Sequence, residues 1–65
     1  MNNVCVYCEY EEGKIQDVSF ELLTKGRALA NQLSCQLEAL VIGENLEGVD
    51  KELSKYGTDI LFIAD

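Results

Sequence analysis

Three apolar runs alternate with two amphipathic segments along this chain of 65 residues. The apolar runs cover residues 4–10, 37–43 and 59–64, and they carry apolar side chains at successive positions rather than at every second one. Runs of this length and pattern are typical of strands buried on both faces of a parallel sheet. The order of the segments therefore predicts an α/β fold in which β, α, β, α and β elements follow one another.

The first amphipathic segment predicts a helix that begins near Asp17 or Ser19, because either side-chain oxygen can cap the free N–H groups of a first turn. Its apolar residues recur at intervals of three and four, which predicts one stripe facing the sheet. Glycine inside a helix costs about 1 kcal/mol relative to alanine, so Gly26 predicts a close approach of helix and sheet. The predicted stripe consists of Leu22, Gly26, Leu29 and Leu33, with Leu23 and Ala30 beside it.

The second amphipathic segment predicts a shorter helix with Asn45 as its cap. Val49, Leu53 and Tyr56 form an apolar stripe at spacings of four and three residues. Gly57 follows at the position where a residue in the left-handed conformation commonly ends a helix. This helix should therefore pack one face on the sheet and stop before the third strand.

Two helices are too few to cover both faces of such a sheet. Each strand–helix–strand connection should be right-handed, so a chain that steps in one direction gives the strand order 1-2-3 with both helices on one face. The other face would then expose an apolar surface that is rare on a soluble monomer. We therefore predict a Rossmann-like three-layer α/β sandwich of which residues 1–65 form only the opening part. Buried side chains are predicted at Leu22, Leu29, Leu33, Val41 and Leu53.

The composition argues against a nucleic-acid partner, a membrane span and secretion. Twelve carboxylates against five basic side chains give a formal charge of −7, which repels phosphate backbones, so we expect no nucleic-acid partner. No apolar run approaches the roughly 20 residues of a membrane span, and the N-terminus lacks the features of a secretory signal. Three cysteines cannot all pair with one another, and free thiols fit a reducing compartment, which predicts the cytoplasm.

Cys5 and Cys8 have the C-x-x-C spacing of some metal and redox sites. On a strand, however, residues three positions apart point to opposite faces, so the two sulfur atoms cannot share a metal ion or form a disulfide. Redox pairs with this spacing lie at the start of a helix, which these two do not. We predict buried, unreactive thiols at Cys5 and Cys8 and an exposed, incidental thiol at Cys35, in a loop.

Residues 43–48 follow a strand and precede a helix, which is where many α/β proteins bind phosphate groups. The segment has neither the lysine and hydroxyl residue of a P-loop nor the G-x-G-x-x-G pattern. Glu44 and Glu47 would also repel a phosphate group. An ordinary turn between strand and helix is the favoured interpretation.

Carboxylates follow the first and third strands, where ligand and catalytic groups are often found in parallel sheets. They are Glu9, Glu11, Glu12 and Asp65. The chain has no histidine and no pairing of a nucleophile with a base, so a solvated loop over residues 9–14 is favoured. Tyr7 is predicted in the core and Tyr10 at this loop. We assign no catalytic, cofactor-binding or metal-binding residue to this chain.

Several stretches resemble the start of the electron transfer flavoprotein alpha subunit. The most specific pieces are Glu21-Leu22-Leu23 with Gly26-Arg27, and the pair Tyr56-Gly57. A short glycine-lysine turn after the first strand and an aspartate closing the third strand also match. The resemblance runs along nearly all 65 residues but covers only the first part of a family member. Departures such as Thr58, where alanine is common, and Ser34-Cys35, where glycine is frequent, affect turns rather than function.

The resemblance implies an electron-carrier subunit, rather than an enzyme, that forms a heterodimer with a beta subunit and carries FAD. Such heterodimers move electrons between acyl-CoA dehydrogenases or related flavoenzymes and another redox partner, and some bifurcate electrons with NADH and a second flavin. The main FAD-binding motifs of the family lie in a C-terminal domain outside residues 1–65. No flavin contact is therefore carried over to this chain, which is expected to be a scaffold packed against the beta subunit.

Two other functions fit the same topology. The first is a small nucleotide-binding or stress-type α/β module that acts as a homodimer, against which the missing glycine-rich loop and lysine count. The second is a small regulatory domain that acts through its acidic surface, for which the sequence offers no positive signal. The run from Glu21 to Arg27 favours the electron-transfer reading.

Overall fold

The computed structural model describes residues 3–64, which form five strands and two helices. The elements are β1 (Val4–Cys8), β2 (Tyr10–Glu11), β3 (Lys14–Ile15), α1 (Asp17–Leu33), β4 (Leu37–Ile42), α2 (Val49–Ser54) and β5 (Ile60–Ala64). The three longer strands and both helices confirm the predicted β-α-β-α-β order. The short strands β2 and β3 lie in a stretch that the sequence predicts as a loop.

The longer strands form a parallel sheet in the order β1-β4-β5. Its register pairs Val4 with Leu37 and Glu38 with Ile60. The central strand is therefore β4, and β1 and β5 are the edge strands. This arrangement confirms the α/β class and the strand order 1-2-3.

Both helices pack on one face of the sheet, over β1 and β4, whereas Ile63 at the β5 edge of this face stays 43% exposed. The rings of Phe20 in α1 and Tyr56 just after α2 are stacked, with centroids 4.8 Å apart, so the two helices lie side by side on the same face. The core between them and the sheet takes alternate residues of β1 and β4 and the inner residues of the helices. Its buried side chains are Val6, Cys8, Ile15, Leu23, Ala30, Leu37, Ala39, Val41, Leu46, Val49 and Leu53.

The opposite face of the sheet has no cover among the described residues. Tyr7, Ile42 and Phe62 are each about half exposed. The register of the three strands places these side chains together on this face. We call this surface the open face. Its apolar side chains are Cys5, Tyr7, Leu40, Ile42, Ile60, Phe62 and Ala64. The prediction that two helices leave one apolar face uncovered is confirmed, and the prediction of Tyr7 in the core is wrong for the same reason.

The buried stripe of α1 differs from the predicted one by a rotation of the helix. Leu22 and Leu29 are 45% exposed and Leu33 is 56% exposed, so the prediction of burial is wrong for these three. The core side of the helix instead consists of Ser19, Leu23, Gly26 and Ala30. The apolar arc of α1 is wider than the area of its contact with the sheet, and that contact is made by Leu23 and three small residues. Val41 and Leu53 are fully buried, as predicted.

Gly26 brings α1 close to the sheet, as predicted. A Cβ atom at this position would lie 3.0 Å from Leu37 Cδ1 and 3.1 Å from Val6 Cγ2. Both distances are shorter than ordinary carbon–carbon contacts. The absence of a side chain therefore sets the distance between α1 and the β1–β4 pair.

The helix ends differ in part from the sequence predictions. Gln16 occupies the N-cap position of α1 without a side-chain hydrogen bond, so neither Asp17 nor Ser19 acts as the cap. The start of α2 lies at Val49, after Gly48 in the left-handed conformation, so the predicted cap Asn45 lies outside the helix. The left-handed conformation predicted for Gly57 is confirmed, with φ of +78°.

Asp59 joins the start of β5 to β4 and to α1. Its Oδ2 accepts hydrogen bonds from the Leu37 N–H at 2.8 Å and from Arg27 Nη1 at 3.0 Å. The Leu37 N–H and then the Arg27 guanidinium hold the pKa of Asp59 below its usual value. Arg27 also donates to the carbonyl of Gly57 at 2.7 Å. The connection between α2 and β5 is thereby fixed to α1.

Helices α1 and α2 comprise 17 and 6 residues, respectively. Neither α1 nor α2 combines the length and the apolar character that a bilayer crossing requires within residues 3–64.

Replacing Gly26 by valine should destabilise the protein, because the added methyl groups would press on Leu37 and Val6. We expect a loss of about 1–3 kcal/mol, as for other overpacked cores. The matched control is Ala28→Val on the exposed side of α1, which should cost only about 0.5 kcal/mol through helix propensity. Urea unfolding of the intact protein measures both, and equal losses would show that α1 and the sheet are not in close contact.

Replacing Asp59 by asparagine should weaken the acid dependence of stability. Its folded-state pKa is lowered, so the ionised carboxylate stabilises the fold above the unfolded-state pKa, and this contribution disappears as the pH falls through the folded-state pKa. In urea unfolding, the wild type should therefore exceed Asp59→Asn at neutral pH, and the two should converge in acid. A difference that stays constant with pH would contradict the role of the charge.

Candidate ligand site at the carboxyl edge of the sheet

The carboxyl ends of β1, β4 and β5 lie at one edge of the sheet, which is where open α/β sheets bind ligands. The segment between β1 and α1 closes this edge with an antiparallel hairpin of β2 and β3. Glu12 and Gly13 form its two-residue turn, with φ of 52° and 81°. Two positive φ values match the turn type that suits the twist of a hairpin. The sequence signal for the hairpin is this Glu-Gly pair between two short runs.

Hydrogen bonds hold the hairpin against the start of α1. The side-chain amide of Gln16 donates to the carbonyls of Glu11 and Lys14, at 3.1 and 3.2 Å. The Gln16 N–H donates to the carbonyl of Glu9 at 2.9 Å. The buried Ser19 Oγ accepts a hydrogen bond from the Glu9 N–H at 2.7 Å. Ser19 therefore anchors the exit of β1 instead of capping the helix.

Tyr10, in the hairpin, packs against the loop that follows β4. Its hydroxyl donates to the carbonyl of Asn45 at 3.0 Å. Its ring covers Gly43 so closely that a Cβ atom there would lie 2.9 Å from Tyr10 Cδ2. The place where a phosphate group would meet the backbone after β4 is therefore filled by an aromatic ring of the same chain.

The carboxylates at this edge do not converge on a common point. Glu9, Glu11, Glu12 and Glu44 are all exposed, and within residues 3–64 no three cysteines or carboxylates lie in an arrangement that could hold a metal ion. Asp65, predicted at the edge of the third strand, lies outside the described residues. No enclosed cavity is present in the described part of the chain.

The cysteines occupy separate environments. Cys8 is fully buried under α1, whereas Cys5 is exposed on the open face, so the two thiols point to opposite faces as predicted. The prediction of burial is wrong for Cys5, because that face has no cover. Burial, and to a smaller extent the neighbouring Cys5, raise the pKa of the Cys8 thiol and keep it protonated. Cys35, predicted to be exposed, is half-buried against the core.

Comparison with known proteins gives a consistent assignment. The Electron transfer flavoprotein domain family matches residues 4–65. Protein FixB of Clostridium saccharobutylicum is 45% identical over 62 residues, which cover 95% of this chain and 18% of that protein. The electron transfer flavoprotein subunit alpha of Clostridium acetobutylicum is 40% identical over 62 residues, with shares of 95% and 18%.

A third relative is named for a larger redox complex. The lactate dehydrogenase (NAD(+),ferredoxin) subunit LctC of Acetobacterium woodii is 40% identical over 62 residues, which cover 95% of this chain and 15% of that protein. The chain thus spans less than a fifth of the length of each of these three relatives. The match extends over all the strands and helices described above, and the chain belongs to the electron transfer flavoprotein family, as its resemblance to the alpha subunit predicted.

Proposed function

We propose that residues 1–65 are the opening part of the N-terminal domain of an electron transfer flavoprotein alpha subunit. In this proposal the longer protein pairs with a beta subunit, carries FAD in a domain beyond these residues, and works in the cytoplasm. The observation that supports it best is the family match over residues 4–65. The free thiols of Cys5, Cys8 and Cys35 fit a reducing compartment.

The role proposed for this segment is that of a scaffold without flavin contacts of its own. The carboxyl edge of its sheet is filled by the hairpin, with Tyr10 lying against Gly43 and bonded to Asn45. Its exposed carboxylates give this edge a charge that disfavours the pyrophosphate of a dinucleotide. The same two features count against the alternative of a nucleotide-binding homodimer.

The proposed activity of the whole protein is electron transfer. Electrons would pass between an acyl-CoA dehydrogenase or a related flavoenzyme and a second redox partner, through the FAD of the heterodimer. The segment would contribute by holding the fold of the subunit and its contact with the beta subunit, not by touching the reacting atoms. On this proposal the protein is an electron carrier that serves enzymes.

A second candidate is flavin-based electron bifurcation in the same heterodimer. It is favoured by the relative named as a subunit of a lactate dehydrogenase that uses NAD(+) and ferredoxin, at 40% identity. That name gives one dehydrogenase two redox partners, NAD(+) and ferredoxin. A heterodimer of this kind would reduce ferredoxin only while NADH and the oxidised substrate of its dehydrogenase are both present.

Purification of the intact subunit together with its partner tests the proposal. We expect a yellow heterodimer whose cofactor, released by denaturation, has the mass of FAD. A colourless protein without a second subunit would contradict the proposed function.

The scaffold role has its own test in the carboxylates at the sheet edge. Glu9→Gln and Glu11→Gln should leave the ratio of FAD to protein unchanged, because neither side chain is proposed to touch the cofactor. Absorption spectroscopy of the purified heterodimer measures this ratio. A correctly folded Glu9→Gln heterodimer that has lost FAD would place a flavin contact within this segment.

A further inference from the structure

One charged side chain lies on the otherwise apolar open face. The residues on either side of Glu38 in β4 are buried under the helices, so the side chain of Glu38 points the opposite way, to the open face. Its neighbours across the sheet are Cys5 of β1 and Ile60 of β5. Neither of them offers a strong hydrogen bond to a carboxylate. Glu38 is therefore a half-buried acid on the central strand, among side chains that do not compensate its charge.

Asn3 holds the Glu38 carboxylate against the sheet. The Asn3 Nδ2 donates to Glu38 Oε2 at 2.7 Å, and the Asn3 Oδ1 accepts from the Gln36 N–H at 3.3 Å. Hydrogen bonds to an ionised group are among the stronger ones in proteins. Because Asn3 is itself bound to the backbone in front of β4, the carboxylate is oriented. An ionised carboxylate can accept about four hydrogen bonds, so the bond from Asn3 leaves most of this capacity for other groups.

The five basic side chains of the chain lie elsewhere. One is in the hairpin at the carboxyl edge, and the others lie in the helices or directly after α2, on the other side of the sheet. They are Lys14, Lys25, Arg27, Lys51 and Lys55. Arg27 is already paired with Asp59, in the one ion pair among residues 3–64. A cation that reaches Glu38 must therefore come from outside this segment.

Covering the open face changes the energetics of this carboxylate. A parallel sheet that is apolar on both faces is normally covered on both, and a cover removes water from Glu38. An ionised carboxylate is costly to bury unless an opposite charge and further hydrogen bonds compensate it. A guanidinium or an ammonium group supplies both at once. The covering surface should therefore carry such a group opposite Glu38.

We propose that Glu38 is a charge-pairing site, to which the same chain beyond residue 65 brings an arginine or lysine side chain. The inference rests on the proposed function, which supplies the longer chain. Asn3 orients the carboxylate through Oε2, which leaves Oε1 to meet the cation. The pair would fix the position of the covering segment on a face whose other contacts are apolar and without direction.

The same chain is favoured over a second copy as the source of the cation. The three relatives named above are more than five times as long as the matched region, so a member of this length has ample chain for the cover. Two copies packed by their open faces would bring two Glu38 carboxylates together without a basic side chain of residues 3–64 between them. The charge of −7 on each copy would also oppose their association.

The variant Glu38→Leu in the intact heterodimer tests the pair through the sign of its effect. If a cation faces Glu38, this substitution leaves the cation buried without a partner, and the unfolding equilibrium constant should rise at least roughly a hundredfold. The matched control is Asn3→Ala, which removes the described hydrogen bond but keeps the carboxylate. It should raise the same constant by less than about tenfold.

Urea unfolding followed by circular dichroism measures both variants against the wild type. A Glu38→Leu protein that is as stable as the wild type, or more stable, would overturn the proposal, because an apolar side chain would then suit the covering surface at least as well as a carboxylate. A loss in Glu38→Leu no larger than that in Asn3→Ala would overturn it too.

A crystal structure of the wild-type heterodimer tests the same pair without any substitution, and so also serves if Glu38→Leu does not fold. We expect a guanidinium or ammonium nitrogen from a residue after 65 of the same chain within about 4 Å of a Glu38 carboxylate oxygen, the usual limit of an ion pair. A carboxylate that faces only water or apolar side chains would contradict the proposal. A cation supplied by the partner subunit or by a second copy would contradict it as well.

The outcome can be separated from that of the proposed function. FAD content and co-purification of a partner are measured on the same preparation and do not depend on the partner of Glu38. A colourless protein in which a later basic residue of the chain pairs with Glu38 would reject the function and support the pairing. A yellow heterodimer in which Glu38 faces water would support the function and reject the pairing.

Discussion

The packing of this chain depends on one requirement, which is that a parallel sheet with apolar side chains on both faces must be covered on both. Among the described residues, helices pack on only one of the two faces. Gly26 allows α1 to approach Leu37 and Val6 closely, and α2 completes the layer beside it. The other face keeps its apolar residues exposed among residues 3–64, so this segment buries only one side of its sheet.

The carboxyl edge of the sheet lacks the open phosphate site that nucleotide-binding proteins of similar topology have there. In such folds the backbone after a strand stays bare so that a phosphate group can approach the start of a helix. Here the residues between β1 and α1 form a hairpin, and Tyr10 lies over Gly43. The Ser19 hydroxyl accepts a hydrogen bond from the Glu9 N–H. Because the Ser19 hydroxyl, the Glu9 N–H and the space over Gly43 are occupied within the chain, this edge leaves little room for a phosphate group, which supports the proposed scaffold role.

Polar contacts of Asp59 hold the strands and α1 together at the opposite end of the sheet. Asp59 accepts hydrogen bonds from Leu37 and Arg27, which connects the start of β5 to the start of β4 and to α1. Arg27 belongs to the part of α1 in which the resemblance to the alpha subunit is strongest. Within that motif, the Arg27 guanidinium therefore has a structural role, because it binds the Gly57 carbonyl and the Asp59 carboxylate.

The sequence by itself determined the element order, the parallel sheet, the close approach at Gly26 and the family, because these follow from local periodicity, from one residue's lack of a side chain and from motif residues. Only the tertiary structure decided which apolar residues of α1 face the sheet, since Leu22 and Leu23 are equally apolar and the helix can rotate between them. It also decided the exposure of Cys5 and the position of Tyr10. These depend on contacts between residues far apart in sequence, and for Cys5 on the absence of a covering layer among residues 3–64, neither of which local periodicity records.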